Sequence, residues 1–150
     1  MRTILLFAAL ASAVPDRPDP DKDKVQSDNR PFIERLQGEW QVVTSLTAGK
    51  PHIGVKPGEA VFVFKGDKLS ITRPNLTNVY QFTVDPGKTP MGFTMKATIL
   101  NGKEPKASAV SPGIIKIEGD LVSICLRPVN NEFASNAGTN TILWQVKRSK

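Results

Sequence analysis

From Trp40 onward, hydrophobic positions recur at every second residue, in short runs separated by Gly, Pro, Asn or Asp. Trp40, Val42, Thr44 and Leu46 share one face of a first strand. Phe62 and Phe64 alternate with Val61, Val63 and Lys65, and Leu69 and Ile71 follow the turn Gly66-Asp67-Lys68. Tyr80, Phe82 and Val84 alternate with Gln81 and Thr83, and Phe93, Met95, Ala97 and Ile99 with Thr94, Lys96 and Thr98. Ile114 to Glu118, Val122 to Leu126 and Ile142 to Val146 complete the series. A period of two sends alternate side chains to opposite faces of a strand, so the pattern predicts about eight strands. One helical stretch precedes them. Pro31 to Gln37 (PFIERLQ) places Phe32, Ile33 and Leu36 on one side. Pro31 suits a first helical turn, and Gly38 can stop the helix.

The punctuation sets the pairing. Lys65-Gly66-Asp67-Lys68 and Glu118-Gly119-Asp120 join strand patterns at hairpin distance. Asp85-Pro86-Gly87 reads as a turn, and Asn75-Leu76-Thr77, which fits the N-glycosylation pattern, marks another between the third and fourth strands. Pro90, Pro105 and Pro112 read as strand ends, because proline removes a ladder donor. Short connections imply sequential antiparallel neighbours. The expected fold is therefore all-β: an antiparallel up-and-down barrel of about eight strands with one short N-terminal helix. A two-sheet sandwich is the alternative, and alternation does not separate them. Asn101 to Ser111 and Asn130 to Asn140 are long for hairpin loops; each is either a functional loop or a surface insertion.

Ahead of the domain, residues 1–13 (MRTILLFAALASA) have a basic start, an apolar run and a small-x-small ending. This is the build of a cleavable secretory signal, too short to span a bilayer at roughly 20 apolar residues. Residues 14–30 hold three Pro and five Asp among four basic residues and read as a disordered leader. The domain is then 31–150, in a secreted or periplasmic protein with no transmembrane span once processed.

The chain carries 20 Lys+Arg and 14 Asp+Glu, for a net charge of +6. Its lysines are scattered singly, and its aromatics alternate within strands. A nucleic-acid surface would cluster the charge among exposed aromatics, so no nucleic-acid partner is expected. One Cys and one His exclude a disulfide framework, a Cys zinc site and any site needing two imidazoles.

Candidate chemistry is sparse. His52, in Lys50-Pro51-His52-Ile53-Gly54, has no nucleophile or orienting carboxylate nearby in sequence and reads as a solvated loop histidine. Cys125, flanked by Ile124 and Leu126, reads as a buried small hydrophobe. Glu39, Glu59, Glu104, Glu118, Glu132, Asp67, Asp85 and Asp120 are dispersed or in turns and form no carboxylate pair. No catalytic residue, metal or cofactor is expected. The apolar faces remain: Phe62, Phe64, Tyr80, Phe82, Phe93, Met95 and Trp144 would line a ligand cavity or fill a core, since a barrel of about eight strands is just wide enough for either.

Leu36-Gln37-Gly38-Glu39-Trp40, at the junction of helix and first strand, resembles the Gly-x-Trp signature of lipocalins and their calycin relatives. The resemblance implies that Trp40 plugs the closed end of a barrel, with a basic residue from the end of the last strand packed on it. Ile142, Trp144, Val146 and Arg148 share a face, so Arg148 is the residue placed to cover Trp40. Gly38 lets the entering chain cross close above it. A broader resemblance, over about residues 34–150, is to an uncharacterised lipocalin-like domain family found in many copies in planctomycete bacteria. LQGEWQVV, Gly49-Lys50, VFVFKGDKLSI, TVDPGKTP, GIIKIEGDLVSICL with Arg127-Pro128, and TILWQVKR carry it. It implies exported, barrel-like proteins of the bacterial envelope and no known activity. Ile115 stands where that family leads one to expect an aromatic. Two functional expectations result: an exported barrel binding a small apolar or amphipathic ligand, or an exported structural or protein-interaction module with a filled core. Neither is an enzyme.

Overall fold

A computed structural model describes residues 31–107 and 109–150. The export signal and leader expected over 1–30 lie outside the described residues. The elements are α1 (Phe32–Leu36), β1 (Gly38–Thr47), β2 (Lys50–Pro51), β3 (Val61–Lys65), β4 (Lys68–Arg73), β5 (Leu76–Asp85), β6 (Gly92–Ile99), β7 (Val110–Glu118), β8 (Leu121–Leu126) and β9 (Ile142–Arg148). Apart from β2, each strand contains one of the alternating runs. From β3 to β9 each strand pairs antiparallel with the next, β1 pairs with β3, and β9 returns to β1. That last pairing decides between barrel and sandwich: β1 and β3–β9 close an eight-stranded antiparallel barrel. The two-residue β2 pairs only with the end of β1.

Three local expectations change. The first strand does not keep one face: β1 bulges between Val42 and Thr44. The extra residue reverses the phase, so buried Ser45 lies opposite Trp144 while Leu46 turns outward to pack with Ile114, Cys125 and Leu143. Pro112 does not end a strand. It is the third residue of β7, opposite Thr94, and its carbonyl accepts the Arg127 N–H at 2.8 Å. The 130–140 loop, long for a hairpin, is packed down on the barrel wall. Phe133 packs on the outer cluster of Ile114, Cys125 and Leu143, with Lys116 Nζ 5.0 Å from its ring centroid, and Ser135 bridges the Gly49 N–H and the Thr141 carbonyl. Cys125 is thus fully buried on the outer side of the wall, where burial raises its thiol pKa.

Two ends follow from the topology. β1 begins and β9 ends beside α1, and this end is closed. Trp40 is 0 % exposed and its indole donates to the Leu36 carbonyl at 2.8 Å. Arg148 stacks its guanidinium 4.2 Å from the Trp40 ring centroid and donates to the carbonyls of Gln37 at 3.1 Å and Arg35 at 2.6 Å. Gly38 sits at φ +112°, and a Cβ there would stand 3.2 Å from Arg148 Nη1. Above this plug, Phe64, Phe82 and Phe93 pack edge to face or stacked, with Phe64–Phe82 and Phe82–Phe93 centroids 5.4 and 5.8 Å apart. Phe62 meets Trp144 edge-on at 5.2 Å. The closed half of the barrel is therefore a filled core.

Candidate functional site

The other end gathers the ends of β4, β6 and β8 and the starts of β5, β7 and β9. There the interior is not filled. A cavity of about 190 Å³ is walled by Ile71 and Arg73 of β4, Asn78 and Tyr80 of β5, Met95 of β6, Ser111 of β7, Leu126 of β8, and Ile142 and Trp144 of β9. His52 and Val55, from the loop between β2 and β3, complete it. At about 30 Å³ per water this is room for about six waters, or for one small molecule.

Of the seven interior residues expected either to line a ligand cavity or to fill a core, Tyr80, Met95 and Trp144 line this cavity. Phe62, Phe64, Phe82 and Phe93 do not; they belong to the packed half. His52, read from sequence as a solvated loop residue, is half-buried at the mouth. Its Nδ1 accepts the backbone N–H groups of Gly54 at 2.9 Å and Val55 at 3.0 Å. The neutral ring therefore carries its proton on Nε2. Arg73 Nη1 donates to the Gly54 carbonyl at 2.8 Å, so one loop residue is held from both sides. Across the mouth, Asn78 Oδ1 accepts the Asn101 N–H at 3.0 Å, and its amide donates to the Tyr80 hydroxyl at 3.4 Å.

Two wall donors have no partner: Arg73 Nε and Trp144 Nε1 are both buried and unbonded. A buried donor left without an acceptor costs about 1–3 kcal/mol, so these atoms mark where the fold has not satisfied itself. No such atom lines the larger recess of about 440 Å³ beside Lys88 and Arg127, where Lys88 lies 3.8 Å from the Asp85 carboxylate. A recess of about 320 Å³ on the outer side of Arg73 shares Arg73 with the mouth cavity.

Sequence reasoning passed over Arg73 and Asn78. Their signal was present: Leu69, Ile71 and Arg73 share a face, as do Asn78, Tyr80 and Phe82, so both polar residues continue apolar inward rows to the mouth. No group of three or more His, Cys, Asp or Glu side chains able to hold a metal ion occurs among the described residues. No described helix is long and apolar enough to cross a membrane. Compared with protein-family models, curated proteins and solved structures, the chain matches none.

The His52 geometry has a pH consequence. Burial first, and the Arg73 charge second, lower the imidazole pKa below its ordinary 6.5. Protonation would also put a hydrogen on Nδ1 and break both loop hydrogen bonds. The neutral ring thus contributes stability that is full above the unfolded-state pKa and is lost as pH falls through the lowered folded value. The urea midpoint of the wild type is expected to fall between about pH 7 and pH 5. His52→Asn keeps an acceptor for the same two N–H groups but does not titrate. Its midpoint should stay flat over that range; a parallel fall in both proteins would remove His52 as the cause.

Proposed function

We propose that this protein is an exported, lipocalin-like barrel of the bacterial envelope, not an enzyme, that binds one small amphipathic ligand at its mouth. The observation that carries the reading is the cavity: an apolar floor of Ile71, Met95, Leu126 and Trp144 beneath a polar rim of His52, Arg73, Asn78 and Tyr80. An apolar floor to hold a body, with convergent polar groups to fix its orientation, is how small-molecule sites are built. Export rests on the residue pattern of 1–13, and the family on the motifs from Gly38-Glu39-Trp40 to Arg148. The non-enzymatic reading is supported by where the reactive side chains stand. His52 Nδ1 is occupied by two backbone N–H groups, and Cys125 lies outside the wall that the cavity lines.

One observation favours the second reading, an exported structural module. The cavity is smaller than the roughly 300 Å³ at which small-molecule pockets usually begin. Titration with single-ring compounds bearing anionic, neutral and cationic heads, followed by amide and indole NMR, separates the two. A binder should saturably shift the Trp144 indole N–H and the 52–55 amides and leave the Trp40 indole, hydrogen-bonded at the far end, unmoved. No shift at the mouth from any compound would leave the packed module.

A further inference from the structure

We propose that the mouth cavity is specific for a small organic carboxylate, with Arg73 as its counter-charge and a body no larger than about one aromatic ring; this rests on the ligand-binding reading above. The first argument is charge. Among the described residues, Arg73 is the only ionised side chain on the wall, and no Asp or Glu lines it. Its guanidinium makes a neutral hydrogen bond to the Gly54 carbonyl and no ion pair among the described residues, while its Nε is buried and unbonded. A half-buried cation without a counter-ion is a desolvation cost that an incoming anion offsets. The planar fork of a guanidinium matches a carboxylate in geometry as well as charge.

The second argument is hydrogen-bond polarity. The strong acceptors at the rim are already engaged: His52 Nδ1 by the Gly54 and Val55 N–H groups, Asn78 Oδ1 by the Asn101 N–H. What remains on offer is mainly donors: the part of the Arg73 guanidinium not used by Gly54, His52 Nε2–H and the Tyr80 hydroxyl, with the Ser111 hydroxyl able to donate or accept. The unbonded Arg73 Nε and Trp144 Nε1 are buried behind this surface. A wall with more free donors than free acceptors discriminates against cationic and donor-rich ligands, which would leave donors unpaired on both sides. The third argument is size. An apolar cavity of about 150 Å³ holds one benzene. This cavity, at about 190 Å³, holds a ring-sized body on Met95, Leu126 and Trp144 with its head turned to Arg73.

Benzoate and benzamide make the test, because they share a body and differ in head charge. Both are titrated into the protein and into its Arg73→Gln variant, which retains a donor for the Gly54 carbonyl. The expected result is benzoate binding at the mouth at least about tenfold more tightly than benzamide, a preference that weakens with added salt and vanishes in Arg73→Gln. Equal binding of the two in the wild type, or benzoate binding that survives Arg73→Gln, overturns the carboxylate assignment and leaves the ligand-binding reading standing. So does mouth binding by a neutral or cationic ring where benzoate gives none. Failure of every single-ring compound overturns both. Should Arg73→Gln fail to fold, the wild-type ratio and its salt dependence decide.

Discussion

Replacing Trp40 with alanine is expected to cost about 3–5 kcal/mol, the range for removing a buried aromatic. That is a large share of a domain stability of about 5–15 kcal/mol. The reason is structural as well as volumetric. Trp40 is 0 % exposed, its indole satisfies the Leu36 carbonyl, and its ring is the surface on which Arg148 lies. Arg148→Ala removes the stacked cation and, with it, the hydrogen bonds from its guanidinium to the carbonyls of Gln37 and Arg35. Its expected cost is smaller, about 1–3 kcal/mol, because it opens no large cavity. The two changes should not add. Once the ring is gone the guanidinium has no face to cover, so the double variant should be more stable than the sum of single losses by at least about 0.5 kcal/mol. A double-mutant cycle by urea unfolding measures this. Additivity would show that α1 is held by the Arg148 hydrogen bonds alone.

How much of this was legible in the sequence depends on the range of the interaction concerned. The eight long strands were legible because a half-buried strand writes its face into every second residue, as in Phe62/Phe64 or Trp144/Val146. The Trp40–Arg148 contact came from the resemblance to the lipocalin Gly-x-Trp signature; alternation added only that Arg148 is the basic residue continuing the inward row of the last strand. The bulge in β1 was not. Val42-Val43-Thr44 is as regular as its neighbours, and the extra residue shows only when β1 is laid against β9. The two-residue β2 carries no period at all. Nor could alternation say where the interior fills and where it opens. Phe64, Phe82 and Phe93 meet in the closed half, Phe62 reaches Trp144, and Tyr80, Met95 and Trp144 face the mouth cavity. His52 was misjudged because its partners, the N–H groups of Gly54 and Val55, are backbone atoms, which no residue pattern displays. Arg73 and Asn78 could have been caught: a polar residue in phase with an inward apolar row is either a strand end or a site, and here it is both.

The second large effect is expected at Gly113, for a reason unconnected with backbone freedom. Gly113 in β7 lies opposite Leu126 in β8 and Phe93 in β6. A Cβ built there would stand 2.5 Å from the Cys125 carbonyl oxygen and 3.0 Å from Leu126 Cδ2. The carbonyl is backbone in a ladder strand, so it cannot swing aside as a flexible side chain would. Gly113→Ala should therefore push β7 from β8 and cost about 1–3 kcal/mol or somewhat more. Gly119 provides the contrast. It sits at φ +60° with nothing within 4 Å of an added Cβ. Gly119→Ala should lose about 1–2 kcal/mol through left-handed backbone strain, and Gly119→Asn should recover part of it. No side chain recovers Gly113, because the obstacle is space. The displacement also has a direction: Leu126 is part of the floor of the mouth cavity, so Gly113→Ala should move the Trp144 indole resonance while leaving that of Trp40 in place. A loss below a few tenths of a kcal/mol, with both indoles unmoved, would mean that β7 and β8 separate freely at this point. The floor of the cavity would then be too soft to hold a ligand in one orientation.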